Sequence, residues 1–341
     1  MRPISNTAVN SDLDKDLEAL RLNCPKATAC ERQRFLNAKD GNLTKALAQL
    51  SAYLEWRKEH GLDDIYHCSK TYMEVEEHSV DLTLGSSDSD DENDEAIETD
   101  IWHSCASNEE CLDELDWKFA SQAAIFHEQK SNGKRTAKSP TSHTLPQLAR
   151  ILPPASRSGS SIPRDQSGNR ILQFLPAMMD LSRASDKAFA LSIALYLERK
   201  LDRDSQEKIL VAIDVRGGSG WANPRPQKLL PFIKQVAGVL EQNFPERLAR
   251  CLVFPVPAAA TFLYRVVKVF LDPSTVQKVA LVKGDSRNEA PPPYSLMEGH
   301  IRQSVLKHME DFRVAGFVVE TDALSDKVNK ESLSSQSIDT R

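Results

Sequence analysis

Gly217, Gly218 and Gly220 follow the apolar run Lys208 to Val215, as the turn of a phosphate loop follows its strand. Such a loop needs the GxGxxG spacing that lets backbone N–H groups close on a pyrophosphate, or a final Gly-Lys-Ser/Thr that brings an ammonium and a hydroxyl to the phosphates. This one has neither. Asp214 ends the same run without a plausible histidine partner, and no Gly-x-Ser-x-Gly elbow supplies a nucleophile. His67, His78, His103, His127 and His143 all fall in or beside one acidic stretch. His103, Cys105 and Cys111 could ligate a metal in principle, but their spacing fits no standard site, so no metal is expected. These residues predict a binding protein rather than an enzyme, with no catalytic residue and no cofactor.

The positioning elements are clearest from Asn243 to Gly284. Arg250 to Pro257 and Lys278 to Lys283 are short apolar runs suited to strands buried on both faces. Between them the periodicity is helical, with Phe262, Val266, Val269 and Phe270 on one side and Tyr264, Arg265 and Lys268 on the other. Pro257 and Pro273 flank that helix and would let it move as a unit. Upstream, Arg170 to Pro176 and Lys208 to Val215 read as strands, while Ser185 to Arg203 and Pro226 to Asn243 read as amphipathic helices. Crossovers of this length require a mainly parallel sheet with right-handed connections, hence an α/β domain. In the N-terminal part Leu43, Leu47, Leu50 and Leu54 form an apolar stripe, with Asn42 as N-cap and Gly61 as the stop.

Several of these features, in this order, resemble the CRAL-TRIO family: the Pro-Glu-Arg turn at 245–247, the Ala-rich helix start after Pro257 and the Phe270-Leu271-Asp272-Pro273 ending. Residues 31–59 resemble the family's small N-terminal helical region, where an Arg-Phe-Leu turn precedes a helix ending in Glu-Trp-Arg-Lys. The resemblance implies an α/β lipid-binding domain, a mainly parallel sheet flanked by helices, over 145–320, with an all-helical region over 12–65. It further implies that the helix after Pro257 is a mobile gate over a lipid pocket walled by Phe174, Ile209, Val211 and Ile213 and closed by Phe262, Val266, Val269 and Phe270, with Arg265 and Lys268 facing the membrane.

In the family's phosphatidylinositol-transfer members the headgroup positions correspond to Lys39, Glu246, Thr275 and Lys278 here. All remain chemically suitable: Lys278 would neutralise the phosphate, Thr275 would donate to it and Glu246 would accept from inositol hydroxyls. The turn around Lys39 departs from the family's more basic pattern by having Asn37 and Asp40. Where phosphatidylcholine-carrying members place hydroxyls, this chain has Ile209, Val211 and Gln173, which would leave a buried phosphocholine phosphate without partners. The expectation is exchange of phosphatidylinositol with a second, weakly polar ligand. The alternative is a lipid-gated scaffold that regulates a small GTPase or lipid kinase without net transfer.

Charge is unevenly distributed. Residues 74–116 carry 17 Asp or Glu and no Lys or Arg, which leaves 43 basic against 32 acidic residues elsewhere. The rest of the chain is thus basic, as suits approach to an anionic membrane surface, where each nearby Lys or Arg contributes about 1 kcal/mol. Ser86 to Glu95 is too charged and too poor in apolar residues to offset its ordering entropy. Residues 70–143 are therefore expected to be an acidic, largely disordered insertion, and 321–341 a disordered tail. Trp102, Trp117, Phe119 and Phe126 suggest that part of the insertion docks on something, either this chain or a protein partner. Ser87 and Ser89 each have an acidic residue three positions downstream, a context for acidophilic kinases. Six cysteines without a CxxC pair and a polar start predict a reduced, cytoplasmic monomer that meets membranes peripherally. Few aromatics and no contiguous basic stripe argue against nucleic acid.

Overall fold

The computed structural model describes residues 6–63, 109–131, 144–153, 162–218, 221–256 and 261–317. Helices α1 (Asn6–Asn23), α2 (Ala29–Asn37) and α3 (Leu43–Glu59) form the N-terminal region. A capping box starts α2: the Thr28 hydroxyl accepts from the Glu31 N–H at 3.1 Å and the Glu31 carboxylate accepts from the Thr28 N–H at 2.8 Å. Asn42 caps α3 as expected, accepting from the Lys45 N–H. Leu20, Phe35, Leu36, Ala46, Leu50 and Tyr53 close a small separate core.

The α/β part is a five-stranded sheet in chain order, made of β1 (Ala149–Ile151), β2 (Arg170–Phe174), β3 (Ile209–Asp214), β4 (Leu248–Val256) and β5 (Val279–Lys283). The β1 strand is antiparallel to β2, and β2 through β5 are parallel. Helices α5 (Asp186–Lys200) and α6 (Pro226–Asn243) make the first two parallel crossovers. The third runs through α7 (Thr261–Val267), a tight turn at Lys268–Phe270 and α8 (Pro273–Lys278). Strands in chain order with right-handed crossovers stack these helices on one face.

Side-chain alternation then divides the interior. Leu172, Phe174 and Ile209 pack with Phe189, Ile193 and Phe232 under the crossover helices. Ile171, Leu210, Ala212, Leu252 and Phe254 face the other way, onto α9 (Tyr294–Met297) and α10, a helix over 303–317, through Met297, Leu306 and Met309. The helix over 303–317 is thus the second cover of the sheet.

One expectation needs correction. The end of the acidic stretch is part of the folded core, as helix α4 (Glu109–Ser131) packed on α5. Asp113 is buried and meets Lys200 at 3.0 Å, Arg150 at 3.3 Å and the Tyr196 hydroxyl at 2.6 Å, while Asp116 meets Arg199 and Lys200. These carboxylates look like part of a solvated run in sequence, but their counter-charges come from α5 and β1. Trp117 anchors the helix, buried and donating from its indole N–H to the Leu145 carbonyl at 2.8 Å. Phe119 and Phe126 remain exposed. Trp117→Ala would leave a cavity and an unmatched carbonyl, and is expected to lower stability by about 3–5 kcal/mol in a denaturant titration. Trp102, Ser86 to Glu95 and the tail 321–341 lie outside the described residues.

Candidate lipid site

The wall of the expected pocket is the face of β3 to β5 on the side of the crossover helices. Val211, Ile213, Cys251, Val253, Val279 and Leu281 project there, all only half-buried, whereas the opposite face of the same strands is packed shut. Burial pushes the Cys251 thiol up to about 12, so it stays neutral in this apolar wall. Phe174 and Ile209, expected on the same wall, are instead used up by the core: Phe174 stacks on Phe232 of α6 at 6.0 Å, and Ile209 is buried. Gln173 points to the opposite face, where its amide donates to the Met309 carbonyl at 2.9 Å. Its period-2 position excludes it from the wall and leaves the apolar Leu172 and Phe174 on that side.

The expected single gate helix is broken. Regular helix ends at Val267, a tight turn spans Lys268–Phe270, and α8 restarts at Pro273 with Asp272 as its cap. Pro273 disfavours helical geometry in the residue before it, and the β-branched residues at 266, 267 and 269 weaken the helix locally. The change of pitch rotates the apolar stripe. Val267 is buried and Val266 half-buried, whereas Val269 is 75% and Phe270 42% exposed, on the side that also carries the exposed Arg265 and Lys268. Val269 and Phe270 therefore do not close a pocket in this state; Phe270 receives the Lys234 ammonium over its ring at 5.5 Å. The Phe262 side chain and residues 257–260 lie outside the described set.

The four polar positions come from three separated chain segments. Lys39 sits in the turn between α2 and α3, where Asp40 and Gly41 both have positive φ, a conformation that Asp tolerates better than most side chains. The Asp272 carboxyl that caps α8 is held below its usual range chiefly by hydrogen bonds from Ser274, with the Thr275 N–H and, least, the charge of Lys39 adding to the effect. Lys278 ends α8 directly before Val279, the partner of Cys251 on β4. Glu246, just before β4, has φ 60 and pairs with Lys208 at 3.1 Å. Among the described residues no hydrogen bond or ion pair links Glu246 with Lys39, Thr275 or Lys278. The signal for this pair in the sequence is Lys208, a lone cation at the start of a buried strand.

The glycine turn has a packing role. A side chain at Gly218 would meet the Phe317 ring at 2.2 Å, and one at Gly217 would meet the Trp221 carbonyl at 2.5 Å and Asn288 at 2.6 Å. Asp214 is engaged by Arg216 in a buried cluster with Glu310 and Arg313, which ties α10 to the end of β3. The residues that resembled a phosphate loop and a catalytic acid thus hold the second cover of the sheet.

Among the described residues no helix is long and apolar enough to cross a membrane, and no cluster of three or more potential ligands could hold a metal. The CRAL/TRIO domain model matches residues 158–308. No curated protein matches the chain in sequence. Among solved structures, that of Sfh5 is similar over 82% of both chains, with 13% identity and a TM-score of 0.46. The matched CRAL/TRIO domain spans β2 to β5 and the crossovers between them, so residues 158–308 of the chain form a CRAL/TRIO domain.

Proposed function

We propose that the protein carries phosphatidylinositol, in exchange with a second hydrophobic ligand, and loads at a membrane through movement of the α7–α8 segment. The observation that carries this reading is the asymmetry of the sheet: Val211, Ile213, Val253 and Leu281 are incompletely buried on the side of the crossover helices, while the reverse face is filled by Met297, Leu306 and Met309. Moving one ordinary acyl chain from a bilayer through water would cost on the order of 10 kcal/mol, so a carrier needs an apolar wall of this kind. The charge of Lys39 acting on Asp272, the cap of α8, and the positions of Thr275 and Lys278 on that helix support a headgroup site made by Lys39, Thr275 and Lys278 together with Glu246. Glu246 occupies the left-handed region, which costs a residue of its size about 1–2 kcal/mol and points to a functional constraint.

Val269 and Phe270 take a different role from the one read in the sequence. As an exposed apolar tip beside Lys234, Arg265 and Lys268, they would enter the interfacial layer while the cations meet anionic headgroups. The test is movement of labelled phosphatidylinositol between liposomes, with co-sedimentation on anionic vesicles measured in parallel. The wild-type chain is expected to transfer lipid at substoichiometric amounts. Val269→Asp with Phe270→Asp is expected to reduce vesicle binding and transfer by at least about tenfold, since each apolar side chain contributes about 1.5–3 kcal/mol when fully buried. Lipid retention without movement between vesicles would favour a scaffold role instead.

A further inference from the structure

At the N-terminal ends of β2 and β3, the turn 164–169 and the loop 202–208 enclose an open depression of about 700 Å³. Its walls include Arg164, Asn169, Asp202, Ser205, Glu207 and Lys208. Arg164 and Lys208 stand at the rim with side chains 47% and 43% exposed. The two carboxylates are already engaged: Glu207 lies 3.6 Å from Arg164 and 3.7 Å from Arg170, and Asp202 accepts from the Asp204 N–H at 2.9 Å.

The informative charges lie behind the loop. Arg34 and Arg247 are each 4% exposed. Arg34 donates to the carbonyls of Arg203 and Ser205, and Arg247 to those of Asp202 and Glu207. Neither forms an ion pair among the described residues, and the Nε of Arg34 has no partner there. Their neighbours Arg203 and Arg57 do have carboxylates, Glu31 and Glu198, with the more exposed Asp63 also on Arg57. Burial, with the charge of Arg34 adding to it, brings the Arg247 guanidinium down to about 10. Two like charges thus share a poorly solvated layer directly behind one loop, whose carbonyl dipoles offset them together with the more distant charges of Glu31, Glu198 and Glu207, two of which are already paired with Arg203 and Arg57.

We propose that the depression is an anion site for a phosphate group of a phosphorylated polyol. Arg164 and Lys208 contact the phosphate, Ser205 donates to it, and the excess of buried guanidiniums over carboxylates around Arg34 and Arg247 supplies a positive field from beneath. The site is separate from the Lys39–Lys278 region; the Lys208–Glu246 contact is what connects the two. A lipid-borne phosphoinositide headgroup and a free inositol phosphate share this chemistry.

The experiment uses the full chain with two probes: inositol hexakisphosphate in a calorimetric titration, and phosphatidylcholine vesicles with or without phosphatidylinositol 4-phosphate in co-sedimentation. Binding of at least one probe is expected. Arg164→Ala and Lys208→Ala should each weaken it by about tenfold, as loss of a charge-assisted contact does. Arg164→Lys and Lys208→Arg should retain most of it, and unchanged thermal melting checks that each variant is folded. Binding of the soluble probe identifies a free inositol phosphate as sufficient; binding of the vesicle alone identifies the lipid headgroup. The proposal fails if neither probe binds wild type, or if both alanine variants bind as wild type does. Lys278→Ala separates this site from the transfer site: it should keep polyphosphate binding, and losing it would place the anion at α8 and overturn the assignment.

Discussion

Lys278→Ala is expected to lower phosphatidylinositol uptake by more than about tenfold while leaving thermal stability unchanged. Lys278 ends α8, where an ammonium also suits the negative end of the helix, and the side chain makes no ion pair with another described residue. A charged hydrogen bond to a lipid phosphate contributes about 1.5–3 kcal/mol, and removing it leaves that phosphate partly unmatched at the mouth of an apolar site. Native mass spectrometry of protein recovered from phosphatidylinositol liposomes reads the effect directly. Undiminished uptake by the variant would reject the headgroup assignment. Normal binding with slowed transfer would instead assign Lys278 to membrane engagement rather than to the lipid.

The second large effect concerns the joint between the helical region and the sheet domain. Glu31 is fully buried and accepts from Arg203 at 2.6 and 2.8 Å, from the Tyr53 hydroxyl at 2.9 Å and from the Thr28 N–H at 2.8 Å. The Tyr53 hydroxyl also lies 3.0 Å from a carboxylate oxygen of Glu198, between which and Glu31 its one proton is shared, and Arg57 grips Glu198 from α3. Glu31→Ala removes one carboxylate from a layer that already holds an excess of guanidiniums. It is expected to cost about 3–5 kcal/mol in a urea titration, the range for breaking a buried pair by deleting one partner. A double variant with Arg203→Met should recover part of the loss, because it no longer buries the orphaned charge. If Glu31→Ala changes stability by less than a surface substitution would, the network is not carrying the joint.

The pH dependence of the same group has a defined sign. Burial alone would raise the Glu31 carboxyl, but Arg203, the Thr28 N–H and Tyr53 outweigh it, and the folded value lies below the ordinary 4.5. Its stabilisation is therefore fully present above the unfolded value and is lost as pH falls through the lowered folded one. Glu31→Ala should flatten that acid limb.

How much of this was legible in the chain depends on the range of the determining interaction. The strands read from 170, 208, 250 and 278, which begin at 170, 209, 248 and 279, and the helix at 226–243 were readable because continuous apolar runs and the 3.6-residue period are local signals. Helix α4 was not, because Asp113 and Asp116 differ from the neighbouring acidic residues only in meeting Lys200, Arg199 and Arg150 in space. Likewise the stripe Phe262, Val266, Val269 and Phe270 holds only on an unbroken wheel, and the turn at Lys268–Phe270 breaks it. The signal for that break was present, since Asp272-Pro273 is both a helix cap and a stop for the preceding residue.

Taken alone, the sequence determined the class of this protein: an α/β domain with a family-specific order of turns, a helical region in front, and polar residues suited to a phosphate at positions 39, 246, 275 and 278. These properties follow from periodicity and residue type, which survive without coordinates. Tertiary structure decided which apolar residues are consumed by packing and which stay half-open: Phe174 is taken by Phe232, whereas Val211 and Ile213 are not. It also decided the charge balance, by setting Arg34 and Arg247 behind the loop 202–208 and giving Glu246 to Lys208. Both depend on groups far apart in the chain, because burial and Coulomb energies are functions of distance in space, which no spacing along the sequence encodes.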